Sequence, residues 1–508
     1  MIGRQQDFAV GAEKSEGRLA PQPGRRVAYP LSKRVASGIC AFWLTVVVVG
    51  AAVAMVYTPA IFVVLGAAAC LIVSLPLALL RPYDLLSPWS LIVVNVFLGS
   101  GIRSIFVASG VDGGRSLDEL FLRWRPPEFF VMPGLLYLGG LTLLTIAFVA
   151  AGVARPLRPG VMSRLAKREF HSGAGLVVAG AALIGFAAFI LYALRTGGLS
   201  LDQLSAKRTT ITGLDLGDDY SSHGELRLLN GFAAVAFWTQ LTVYSSRSLK
   251  HGLLTARGGI LLLLFVNSCL LPFYASTRSD IVYVVVVAVA IELCFAGRRG
   301  SRKLVLGAVL FTLAITPILT VLRLQSAPQV SDTADVSPVA AVLDTFVYAR
   351  TFTDIPTSSH IISAVPATLP LEKGATVTAW LAAPVPRALW PEKPIISAGP
   401  TIGVVVFGNE RSGVPPGMIA ESYWNFGVAG LLTWPLLIGW AIRSMQERVS
   451  VYVGRGPGVA LLYSAVVLRV GIDAMSNSVG FAMFSAIQTA TLLGVVLWLS
   501  TYMPRRSA

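Results

Sequence analysis

Apolar runs, each near the roughly 20 residues that a helix needs to cross a hydrocarbon layer, recur along the chain and predict its elements. They lie near 36–57, 60–80, 88–108, 131–153, 174–194 and 228–246. Six more lie near 258–276, 280–296, 304–322, 420–442, 458–475 and 478–500. The pattern predicts an all-α polytopic membrane protein with about 12 transmembrane helices. A polar, basic segment, residues 1–34, precedes the first run and is expected to be a disordered cytoplasmic tail. Residues 35–508 are expected to form a single integral-membrane domain. The first run is too long for the core of a cleaved signal peptide, so it is expected to stay as an anchor.

The links between runs are unequal. On one side they are short and basic: Arg155/Arg158/Arg164/Lys167/Arg168, Arg247/Lys250/Arg257, Arg298/Arg299/Arg302/Lys303, Arg443/Arg448/Arg455 and Arg505/Arg506. On the other side lie the long segments 109–130, 195–227 and 323–420. Basic residues collect on the cytoplasmic side of membrane proteins, which predicts cytoplasmic termini and places the long segments outside. Function is expected there, because long loops in compact proteins usually carry it. Within the third segment, short interfacial helices are expected near 338–364, followed by an extended Pro-rich stretch through Pro384, Pro386, Pro391, Pro394 and Pro400.

Composition narrows the class. With 55% hydrophobic residues, 13% charged residues and a mean hydropathy of +0.70, a soluble multi-domain enzyme is excluded. The formal charge of +15 reports orientation and contact with anionic membrane lipids, and no nucleic-acid partner is expected. Cys40, Cys70, Cys269 and Cys294 all sit inside apolar runs and read as small core residues, not as a disulfide framework or metal site. No Gly-rich nucleotide motif is present, so an ATP-driven pump is excluded.

Ionisable residues at membrane depth are costly and therefore candidates for function. Arg103 lies in the outer half of the third run, and Arg278 with Asp280 at the junction of the seventh and eighth. For both arginines, snorkelling to headgroups competes with ligand binding. Arg469 and Asp473, four apart on the eleventh run, predict an ion pair.

A second cluster lies in the Val-Pro-Arg-Ala-Leu-Trp-Pro-Glu-Lys-Pro stretch, residues 385–394. Prolines restrain the backbone around Arg387, and Lys393 follows in another Pro-flanked turn. Fixed cations over a membrane suit a diphosphate, because a guanidinium binds phosphate oxygens bidentately and keeps its charge. A solvated loop with surface charges is the alternative. Glu410 and Arg411 follow, and Glu421, Tyr423 and Asn425 open the tenth run. Glu421 and Asn425 share a helix face, with Glu421 either a general base for a sugar hydroxyl or a partner of the arginines. His223 and His360 are expected in loops and lack zinc spacing. Asp215, Asp218 and Asp219 read as a solvated acidic turn without calcium-loop spacing. No metal and no cofactor are expected.

In order, Pro-Arg, Trp-Pro-x-Lys-Pro, Phe-Gly, Pro-Gly, Glu and Asn-Phe-Gly-x-x-Gly over residues 385–430 resemble the Wzy-type oligosaccharide repeat-unit polymerases of bacterial surface polysaccharides. The number of runs, the loops at 195–227 and 323–420 and the Arg278-Ser279-Asp280 step extend the resemblance. It implies a GT-C-like, metal-independent glycosyltransferase of the bacterial inner membrane. The substrate would be an undecaprenyl-diphosphate-linked oligosaccharide at the external leaflet, and the partner a chain-length regulator. It also implies that Arg387 and Arg208 bind the donor diphosphate, with Glu421 or Glu410 as base. An Arg-x10-Gly spacing described for some members is not met: Gly399 falls one position beyond it from Arg387. A lipid-linked glycan ligase of similar fold and a secondary transporter of 12 spans are the alternatives. Against the transporter, the link 247–257 between the halves is short.

Overall fold

A computed structural model describes residues 29–80, 83–111, 116–151, 160–196, 198, 224–249, 255–275, 277–295, 298–325, 342–348, 352–383, 385, 389–390, 393, 397–408 and 413–502. Every predicted apolar run coincides with a helix. In chain order these are α1 (Lys33–Ala54), α2 (Ile61–Leu79, entered through a tight turn at Thr58), α3 (Pro88–Ser109), α4 (Val131–Ala150), α5 (Ala174–Arg195), α6 (Gly224–Ser246), α7 (Ala256–Tyr274), α8 (Arg278–Phe295) and α9 (Arg298–Gln325). Two shorter helices follow, α10 (Ile355–Ala364) and α11 (Gly399–Phe407), and then α12 (Gly417–Ser450), α13 (Pro457–Ser476) and α14 (Val479–Ser500).

Nine helices among the described residues are long and apolar enough to cross a membrane: α1–α5, α7, α12, α13 and α14. The chain is thus an all-α, multi-pass membrane protein. The three other long helices are more polar for visible reasons. The central helix α6 buries Asn230, Thr239, Gln240 and Thr242 among its neighbours, α8 opens on Arg278 and Asp280, and α9 opens on Arg298-Arg299.

Among the described residues, most of the helices meet in the two largest of five hydrophobic clusters. The first joins α1, α2, α3 and α4 with α10, α11 and α12. The second packs α5, α7, α8 and α14 around α6. Helix α13 belongs to both, with Ala474 and Met475 in the first core and Leu461 and Ala465 in the second. A two-residue clasp, Glu169–Phe170 paired antiparallel with Thr501–Tyr502, ties the chain's end to the α4–α5 link.

Four expectations are corrected. Residues 29–32 of the expected disordered tail are docked, with Leu31 N–H donating to Tyr83 O at 3.1 Å and Leu85 N–H to Tyr29 O at 3.1 Å. Helix α10 is no interfacial helix, because Ile355, Ile361, His360 and four intervening hydroxyl residues or prolines are all buried between α4 and α12. His360 is consequently a core residue, its Nε2 2.8 Å from Phe121 O and its ring among Phe129, Phe130 and Phe407. The Pro-rich stretch does not stay extended through Pro400. Proline in a first turn sacrifices no helical hydrogen bond, so Pro400 lies in the first turn of α11 in place of the expected extended chain.

Candidate active site

Two polar nodes occupy the end of the bundle that carries the long segments, and α12 connects them. Its first residue, Gly417, has φ +64°. A Cβ there would lie 2.7 Å from Thr353 Oγ1 and 2.8 Å from Met475 O, so only glycine lets the 352–354 segment and the end of α13 meet the helix. One turn later comes Glu421, 0% exposed. Its Oε1 accepts from Thr376 Oγ1 at 2.6 Å and its Oε2 from Val479 N–H at 2.5 Å. Asn425 continues the same face, as its spacing predicts. Its Oδ1 accepts from Gly374 N–H at 2.9 Å and its Nδ2 donates to Thr376 Oγ1 at 2.8 Å.

Helix α12 breaks at Gly427, with φ +61° and ψ −143°. The carbonyls of Trp424 and Asn425, deprived of partners further along, accept from the N–H groups of Glu372 (3.3 Å) and Lys373 (3.0 Å). Trp424 Nε1 donates to Pro370 O at 2.9 Å. Segment 370–376 is thereby laid along the upper turns of α12. On its other side Gly480 of α14 closes on it, for a Cβ at Gly480 would lie 2.2 Å from Thr376 O. Glu421 therefore joins a loop, α12 and the start of α14. With both carboxyl oxygens committed to donors, it holds position and pairs with no arginine among the described residues.

The second node centres on Arg103, also 0% exposed. Its guanidinium pairs with Asp354 and donates to Val347 O (2.5 Å) and Phe352 O (3.2 Å), lying 5.1 Å over the Phe121 ring. The side chain neither snorkels nor opens toward a ligand; it fastens α3 to the segment before α12. Asp354 in turn caps α10, accepting from Thr357 N–H at 2.6 Å. Gly99, in the π-helical turn of α3, lets the segment approach, since a Cβ there would stand 2.3 Å from Thr353 O.

No protein family, curated protein or solved structure matches the chain. The site must be judged on its own residues.

Beyond these nodes, Arg469 Nε and Asp473 Oδ2 form the predicted ion pair at 2.8 Å, under which Tyr283 presents its ring 4.2 Å from the guanidinium. Lys393 Nζ donates to Ala383 O (2.8 Å) and Val385 O (2.9 Å). Arg278 is half-buried at the start of α8, and Tyr423 is half-buried against the first core. Arg387, Arg208, Glu410, Arg411, His223 and the Asp215/Asp218/Asp219 turn lie outside the described residues. Among the described residues no group of three or more His, Cys, Asp or Glu side chains converges.

Sequence reasoning passed over Asp354, Thr376 and the Val479 N–H. Asp354 carried a readable signal, an acidic cap two residues before Pro356. Thr376 carried none, because a hydroxyl in an aperiodic loop gives no hint of its partner.

Proposed function

We propose that this protein is a polymerase joining undecaprenyl-diphosphate-linked oligosaccharide repeat units at the outer leaflet of a bacterial inner membrane. The observation that carries this reading is the Lys393 staple. By donating to Ala383 O and Val385 O, Lys393 draws together the two ends of the segment that includes Arg387. The anchoring of residues 370–376 by Glu421 and Asn425 supports it from below. A stapled loop bearing cations on an anchored base is suited to holding a lipid diphosphate, since preorganised charge acts where anionic charge develops.

In the proposed reaction an acceptor sugar hydroxyl attacks the anomeric carbon of the donor. The C–O bond to the diphosphate breaks, undecaprenyl diphosphate departs with the electron pair, and the hydroxyl proton passes to a base. Arg387, with Arg278, Arg411 and Arg208, stabilises the leaving diphosphate, while Lys393 holds the loop through its two carbonyl bonds. Glu410 is the preferred base, and Tyr423 faces the glycan. Glu421, Asn425 and Arg103 are positioning residues, their polar atoms being engaged with protein. In this reading the chain spans the membrane 12 times in a GT-C-like arrangement, with cytoplasmic termini, no metal and a chain-length regulator as partner.

Arg387→Lys tests the reading, since it keeps the charge but loses the bidentate fork. Glycan ladders in cells and single-turnover transfer in detergent are expected to fall at least tenfold, and further for Arg387→Ala, at unchanged protein abundance. Wild-type ladders from Arg387→Ala would remove the residue from the site. A single transfer to a lipid acceptor in place of a ladder would make the protein a ligase.

A further inference from the structure

At the opposite end of the first core, α1 leans on α2 and leaves a groove between itself and α3. Its walls are Val35, Gly38, Ile39 and Phe42 of α1 and Val93 and Val94 of α3, over a floor formed by α2 at Val73. The groove has a volume of about 480 Å³, within the range of sites that hold small molecules, and its lining is almost entirely apolar. Trp43 and Phe97, edge to face with centroids 5.6 Å apart, bound it toward mid-bundle. Gly38 makes the hollow: a Cβ at this position would find nothing within 4 Å.

Two basic residues directly precede the groove-lining stretch of α1. Lys33 and Arg34 are exposed immediately before Val35, at the first turn of a helix with 22 residues. No acidic residue lies in that turn, so the positive end of the helix adds to the two side chains. The backbone that carries them is held, because Ser32 Oγ accepts from Val35 N–H at 3.3 Å and Leu31 N–H donates to Tyr83 O. Only 17% of the apolar window of α1 is buried, so the groove opens sideways to whatever surrounds the helices.

An apolar groove preceded by two exposed cations and a helix N-terminus suits an amphiphile with an anionic head. We propose that this groove binds an anionic glycerophospholipid, an acyl chain lying between α1 and α3 and the phosphate held at Lys33 and Arg34. The site is separate from the two polar nodes and does not depend on the polymerase reading.

The test uses the full chain in vesicles of mixed phosphatidylglycerol and phosphatidylcholine, in which one or the other carries a photoactivatable acyl chain. Phosphatidylglycerol is expected to label residues 35–43 and 93–97 at least fivefold more than phosphatidylcholine does. Gly38→Leu, at a position where a Cβ meets nothing within 4 Å, should abolish that labelling, whereas Gly259→Leu, at an equally open glycine on α7, should leave it intact. The double variant Lys33→Gln/Arg34→Gln should remove the preference between headgroups and retain residual labelling. Equal labelling by both lipids in the wild type, or unchanged labelling in Gly38→Leu, overturns the proposal. So does displacement by undecaprenyl phosphate where excess phosphatidylglycerol fails, which would assign the groove to an isoprenoid.

Discussion

Among the described residues two arginine–aspartate pairs stand out, one half-buried and one fully buried, and they are built differently. Arg469 and Asp473 are successive turns of one helix, with side chains 15% and 7% exposed. Arg103 and Asp354 are 251 residues apart, each side chain 1% exposed, and the pair joins a membrane helix to the segment ahead of α12. The first pair neutralises charge inside an element that would form without it. The second decides where the 352–364 segment sits, and so where α12 and its node begin. Burial and separation in sequence together turn a charge-neutralising device into an architectural one.

The comparison can be broken most decisively at Arg103. Arg103→Ala leaves Asp354 buried without its cation, which typically costs about 3–5 kcal/mol, so the folded fraction after detergent extraction should fall sharply. Arg103→Met combined with Asp354→Asn should recover part of the loss, because no charge is then stranded and an amide can still cap α10. If thermal unfolding of Arg103→Ala matches the wild type, the pair has no architectural role.

Gly417→Ala is expected to come next, at about 1–3 kcal/mol for a non-glycine residue forced into left-handed backbone. This glycine meets both Thr353 and Met475, near one member of each pair, so proteolysis should speed up in the 352–398 segment more than around α13. Glu421→Gln should lose about 1 kcal/mol through one mismatched donor, loosening residues 370–376 in hydrogen exchange while leaving α3 protected. Asp473→Asn should be mildest, because Arg469, its side chain 15% exposed, is not sealed from its surroundings as Arg103 is. Asn477 can still contact the side chain and Tyr283 still lies beneath Arg469. A larger loss for Asp473→Asn than for Glu421→Gln would reverse the ranking of local and long-range anchors.

The same contrast separates what was legible in the sequence from what was not. The long helices could be read because hydrocarbon selects unbroken apolar runs, and the Arg469–Asp473 pair because helical geometry brings positions four apart together. The shared face of Glu421 and Asn425 was legible for that reason too. Their partners were not, since Thr376 and Val479 come from other elements and only packing brings them near. Proline misled at Pro400, which lies in the first turn of α11. Arg103 stood out as a charge at membrane depth, yet nothing local distinguished a residue turned toward lipid from one clamped by Asp354.

The distance between Arg103 and Asp354 along the chain is also an interval of time. Ribosomes add about 5–20 residues per second, so the 251 residues between them take roughly 10–50 s to make. Throughout that interval α3 already exists and its guanidinium has no aspartate to meet. The nascent helix bundle must tolerate an unmatched cation until most of the chain has been synthesised, and an arrest of translation before Asp354 leaves that cation exposed to quality control.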